Sequence, residues 1–108
     1  MLLIFVYMEP QLLTIELNDY LNCYERRISD YNLIGVEHSG RHRVGSGANL
    51  PPINRLEESV RNEFIKRLPS NTEVVVGVEK DIKETPSAFF SEGLQYVCYI
   101  GTALVPKE

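Results

Sequence analysis

INRLEESVRNEFIKRL (Ile53–Leu68), followed by EVVVGVEKDI (Glu73–Ile82) and LQYVCYIGTALV (Leu94–Val105), is the stretch that decides the fold. In the first segment Ile53, Leu56, Val60, Phe64 and Leu68 recur every three or four residues, the repeat of one helical face. Glu57, Glu58, Arg61, Glu63, Lys66 and Arg67 take the other face, with acids leading and bases trailing as the helix dipole favours. Asn54 and Glu57 stand at capping-box spacing, and Pro69 ends the helix. The next two segments read as strands. Val74, Val76 and Val78 alternate with Val75 and Gly77; Tyr96, Cys98, Ile100, Thr102 and Leu104 alternate with Val97, Tyr99, Ala103 and Val105. The short connection Thr85–Gly93 makes them antiparallel neighbours. Gly101 in the last strand marks a bulge or a close approach. Both strands are apolar on both faces, so both sides of the sheet need cover. One helix covers one side. A second copy of the chain, packed on the final strand, is expected to cover the other, and Leu104→Asp or Tyr99→Asp is then expected to dissociate a homo-oligomer.

Toward the N-terminus, Tyr31–His38 reads as a strand, with Leu33 and Gly35 on one face and Ile34, Val36 and His38 on the other. Before it, Tyr20, Leu21, Tyr24 and Ile28 form one helical stripe, capped by Asn18 or Asp19, with Arg26 and Arg27 in the last turn. Leu12, Leu13, Ile15 and Leu17 make a short strand-like run after Pro10. The apolar run Met1–Tyr7 is too short to span a bilayer and lacks the features of a signal peptide. It reads either as a buried or edge strand or as an extension upstream of a start at Met8. The whole, residues 1–108, is a single α+β domain: an antiparallel sheet with two helices packed on it, in the approximate order β-β-α-β-α-β-β.

The 108 residues are 44% hydrophobic and 24% charged, which favours a folded core over disorder. The net charge of -4 and a pI near 5.2 argue against a general nucleic-acid binder, which needs a basic field. No membrane partner is expected, and the chain is read as cytoplasmic. Two cysteines, Cys23 and Cys98, are too few for a disulfide framework and read as small buried hydrophobes.

Ser39–Pro52, rich in Gly, Ser, Arg and Asn, reads as a long loop, the kind of segment where function concentrates. Its chemistry supports two ligand readings. In the first, Arg41, Arg43, Gly45, Ser46 and Gly47 cradle a small anion or metabolite: guanidinium groups pair with phosphate or carboxylate, and glycine frees backbone N–H groups. In the second, Glu37, His38 and His42 hold a divalent metal, carboxylate and imidazole being ligands for zinc-type ions. The plain alternative is a solvated loop, or one ordered at a subunit contact. Cys98 lies mid-strand among apolar residues, where burial leaves a thiol inert.

Arg43-Val44-Gly45-Ser46-Gly47-Ala48, Val74-Val75-Val76-Gly77-Val78 and Tyr99-Ile100-Gly101-Thr102-Ala103-Leu104 carry a resemblance. Over about the last two thirds of its length the chain resembles a small bacterial and archaeal heavy-metal-binding family, pentameric α+β proteins that pair a helix with a sheet. That family's helix is rich in alanine and runs into a Gly-Ala-Asn-Ala turn; here the helix is charged and ends Leu68-Pro69-Ser70-Asn71. The resemblance implies an oligomeric α+β domain and assigns no ligand set to this chain. The resulting expectation is a non-enzymatic, oligomeric domain that binds a small anion or metabolite through the Arg41–Gly47 segment. The alternatives are a metal-binding protein using His38 and His42, and a small enzyme whose site is shared between subunits.

Overall fold

The computed structural model describes residues 9–107. Both readings of Met1–Tyr7, with the start at Met8, fall outside the described residues. The chain forms β1 (Gln11–Leu12), α1 (Leu17–Cys23), a 3-10 turn at Ile28–Asp30, β2 (Tyr31–Val44), α2 (Ile53–Lys66), β3 (Val74–Thr85) and β4 (Gly93–Pro106). It is a single α+β domain, whose described residues form a four-stranded sheet in the order β1-β3-β4-β2. β2 and β3 both run antiparallel to β4, and α2 carries the chain from one side of β4 to the other. The sheet is mixed, because β1 pairs parallel to the start of β3.

α2 lies across one face of the sheet. Val60, Phe64 and Leu68 bury against Val75, Val97, Tyr99 and Ala103. Gly40 lets the helix approach, and Gly101 makes room for side chains of the neighbouring strand β3. A Cβ on Gly40 would meet Val60 Cγ2 at 2.7 Å, and one on Gly101 would meet Val75 Cγ1 at 2.7 Å. The sequence reading of a close approach at Gly101 therefore holds, while the bulge falls in β3: its register with β4 slips between Val76 and Glu79, around Gly77 at φ +60°. The Gly77 and Val78 N–H groups donate to Ile15 and Leu13 carbonyls, so the irregular stretch is hydrogen-bonded by the chain that follows β1.

Among the described residues the opposite face is covered at one end only. Tyr20 and Leu21 of α1 bury against Tyr31, Val74, Val76 and Leu104. This overturns the expected role of Leu104 and Tyr99 at a subunit contact. Leu104 is fully buried beneath α1 and Tyr99 is buried on the α2 side, so both belong to the core of one chain. An aspartate at either position would cost folding itself.

Three local expectations also change. β2 continues through Val44, six residues beyond His38, because every residue from Tyr31 to Val44 finds a partner on β4. α1 stops at Cys23 instead of reaching Ile28: Glu25 takes a left-handed conformation (φ 53°), and the Arg26 N–H closes back on the Leu21 carbonyl at 2.8 Å. α2 begins at Pro52 with no side-chain cap, and Glu57 is drawn instead to Lys80 and Tyr99. No helix among the described residues is long and apolar enough to cross a membrane.

Candidate functional site

Because Arg41, His42 and Arg43 lie on a strand, alternate side chains diverge. Register with β4 assigns the faces. His42 pairs with Gln95, and Val44 with Gly93, on the α2 side; Arg41 pairs with Tyr96 and Arg43 with Leu94 on the open side. The anion and metal candidates of the sequence are thereby split between two surfaces.

On the α2 side the end of β2, the following loop and the first turn of α2 line a solvent-open cavity of about 700 Å³. That is within the range of small-molecule sites. Val44, Leu50, Pro51, Pro52 and Leu56 supply apolar wall, and His42, Asn49, Arg55 and Gln95 supply the polar groups. The loop is held in place from the side. The Gly47 N–H donates to the Ala88 carbonyl at 3.0 Å, and the Ser87 hydroxyl donates to the Ala48 carbonyl. Both acceptor and donor partners come from the β3–β4 hairpin, whose tip exposes Phe89 and Phe90. Gly93 leaves room for the packing of Val44 and Leu50, since a Cβ there would meet Val44 Cγ2 at 2.8 Å.

Gln95 is the unusual member of the wall. It is the one buried polar or charged residue in the core of the described chain, fully shielded from solvent. Its Nε2 donates to the Pro51 carbonyl at 2.6 Å and to Glu84 Oε2 at 2.8 Å. Both donors are therefore used and the amide orientation is set. Its Oε1 is buried with no protein donor. A buried acceptor left unpaired costs on the order of 1–3 kcal/mol; Oε1 has essentially no accessible surface, so it lies behind the cavity wall and a donor reaches it only where the wall opens. Arg55 and the uncapped α2 N-terminus add positive potential at the same place. The sequence pointed to the segment through His42, but Gln95 and Arg55 were missed. Gln95 reads as an ordinary polar residue in an apolar strand, which is the one available signal; Arg55 reads as helix surface.

The predicted anion cradle does not converge. Arg41 lies over the Tyr96 ring at 5.6 Å on the open face, with Lys83 on the same ring at 6.0 Å. Gly45, Ser46 and Gly47 form the turn after β2, and the Gly47 and Ala48 N–H groups already bond to the Ala88 and Gly45 carbonyls. The metal candidates are likewise separated. Glu37 is on the open face, where it accepts a hydrogen bond from Cys98 Sγ at 3.6 Å. His38 and His42 share the α2 face, but four strand residues place them about 13 Å apart. Val60 and Leu56 also pack onto Gly40 between them. Among the described residues no group of three or more His, Cys, Asp or Glu side chains is placed to hold a metal ion. Both cysteines are free thiols. Burial pushes the Cys98 thiol above its ordinary pKa, helped by the nearby Glu37 carboxylate, which leaves it protonated and unreactive. Cys23, expected to be buried, is exposed at the end of α1.

Glu57, Lys80 and Tyr99 form a polar cluster between α2 and the sheet. Lys80 Nζ stands 2.8 Å from Glu57 Oε1, and the Tyr99 hydroxyl donates to the same oxygen at 3.2 Å. The Lys80 hydrogen bond holds the Glu57 carboxyl below its usual pKa. These three side chains bind one another, and none of them lines the cavity.

Compared with known proteins, the chain matches no family model, no curated protein and no solved structure.

Proposed function

We propose that this chain is a non-enzymatic binding domain for a small organic acid, held in the cavity between the end of β2 and the start of α2. The observation that carries the reading is the fully buried Gln95 on the cavity wall, whose Oε1 lacks a donor. The fitting ligand has an apolar body for Val44, Leu50, Pro52 and Leu56, a carboxylate for Arg55 and the α2 N-terminus, and an N–H or O–H that reaches Gln95 Oε1 when the wall over it opens on binding. This keeps the small-metabolite expectation and moves its contacts from Arg41 and Arg43 to His42, Arg55 and Gln95. A specific observation favours a second reading. Arg41 and Lys83 flank Tyr96 on the open face, with Arg43 on the same side; Asp81 stands 3.7 Å from Lys83, so the two arginines are the groups offered to an anion there.

Calorimetric titration with a panel of small hydroxy-, amino- and indole-carboxylates separates the two. The cavity reading expects Gln95→Met and Arg55→Ala each to weaken binding by roughly 10- to 100-fold, while Arg41→Ala leaves it unchanged. Loss of binding in Arg41→Ala with Arg55→Ala intact moves the site to the open face. No acid binding below millimolar Kd overturns the proposal. Recovery of chemically altered ligand would overturn its non-enzymatic part.

A further inference from the structure

The outer edge of β2 is the most prominent surface the binding reading leaves unused. β2 is the last strand of the sheet and runs for 14 residues, and no described strand pairs with its far side. About seven of its residues therefore direct N–H and C=O groups outward. Exposed edges are normally blunted by proline, a bulge, shortness or charged side chains. β2 contains no proline and keeps a continuous ladder to β4, and its charges are of both signs, Glu37 against Arg41 and Arg43, so they can pair between two copies.

We propose that two copies of the chain join β2 to β2, antiparallel, about a two-fold axis through Ser39. An axis perpendicular to the sheet keeps both α2 helices on one side and pairs only residues of the same face. The pairing residues of the two copies must therefore both be odd-numbered or both even-numbered, so the axis passes through a residue position. With the axis at Glu37, two glutamates oppose each other. With the axis at Gly40, His38 is pushed against His42. At Ser39 the sequence is self-complementary. Glu37 of each copy stands opposite Arg41 of the other, with Arg43 on the diagonal. On the α2 face Ile34 meets Val44, Val36 meets His42, and His38 faces Gly40, where the missing side chain leaves room. Leu33 and Ile34 are large apolar residues left exposed on this strand in the single chain. The same register brings Ile34 and Val36 of one copy beside Val44 and His42 of the other, at the rim of the cavity. The pairing itself does not depend on what the cavity binds.

Sedimentation equilibrium of the full chain tests this. The expected result is a species of twice 12.3 kDa. Glu37→Arg and Arg41→Glu, which set like charges against each other twice per dimer, each weaken association by about tenfold or more. The combined exchange Glu37→Arg/Arg41→Glu restores it, which a general surface or folding effect would not do. Ser39→Lys, an exposed position that meets its own copy at the axis, provides a further variant, expected to be monomeric with an unchanged melting temperature. A monomer at 100 µM overturns the proposal. An odd-numbered assembly, or a dimer whose mass ignores both single reversals, overturns it as well.

Discussion

Gly40 shows how much a single absent methyl group decides. It sits on β2 directly under α2, and a Cβ there would lie 2.7 Å from Val60 Cγ2 and 3.4 Å from Leu56 Cδ1. Val60 is 2% exposed and has nowhere to move. Alanine ordinarily gains roughly 0.5–1 kcal/mol over glycine in a strand, but overpacking costs about 1–3 kcal/mol, so the clash wins. Gly40→Ala is expected to lower Tm by roughly 5–15 °C. Adding Val60→Ala should make the double variant less destabilised than the sum of the two singles, a coupling that thermal melts of all four proteins measure. Nothing in the pattern Ser39-Gly40-Arg41 announces this: among polar residues a glycine reads as a turn, and its role appears only once the helix is laid over it.

At the scale of elements, the end of α1 is the clearest case. Tyr20, Leu21, Tyr24 and Ile28 keep helical spacing, which predicts one stripe through Ile28. The stripe breaks because Leu21 and Tyr20 bury against β3 and β4, and the chain must then turn to start β2 at Tyr31. The turn is a Schellman closure with Glu25 in the left-handed region (φ 53°). Glycine adopts that conformation without the Cβ clash. Glu25→Gly should therefore stabilise the protein by about 0.5–1 kcal/mol. The check is a higher urea midpoint at unchanged m-value; a lower midpoint would mean that the Glu25 side chain contributes a contact larger than its backbone strain. The lengthening of β2 has the same kind of cause. Arg41, His42 and Arg43 are poor strand formers by composition, yet β4 continues to Gly93 and offers them a paired edge.

Across the whole molecule, the two faces of the sheet are finished differently. α2 runs along one face, while α1 covers only the Leu104 end of the other, leaving Tyr96 and Ile100 partly open to solvent. The covered end carries an alkaline sensitivity. The Tyr31 hydroxyl donates to Glu73 Oε2 at 2.5 Å and Tyr20 to the same oxygen at 3.3 Å. Burial first, and then the Glu73 carboxylate, push Tyr31 up to about 12 and raise Tyr20. A raised folded-state pKa means the folded chain keeps a proton that the unfolded chain loses. The stabilisation is complete below pH 10 and is lost as the pH rises toward 12. Chemical-denaturation curves from pH 8 to 12 should show this fall, and Tyr31→Phe should flatten most of it. An equally steep fall in Tyr31→Phe would place the sensitivity elsewhere. At the acid end the sign reverses for Glu57. Its lowered pKa adds stability above about pH 4.5 that disappears as the pH falls further.

The sequence by itself determined the elements whose signal is local and repeated. The five-residue apolar stripe of α2, the valine run of β3, the alternation of β4 and the antiparallel hairpin joining them all follow from periodicity, and so does the α+β class. Tertiary structure decided everything that depends on which surfaces meet. It extended β2 to Val44, ended α1 at Cys23 and placed Leu104 and Tyr99 in the core. It sent Arg41 and His42 to opposite faces and closed Gln95 into a cavity with Arg55, 40 positions away in the chain. The physical reason is that strand pairing and burial are non-local: a side chain's face is set by register with a partner strand, and a glutamine becomes a binding group only when its surroundings leave one of its atoms unpaired.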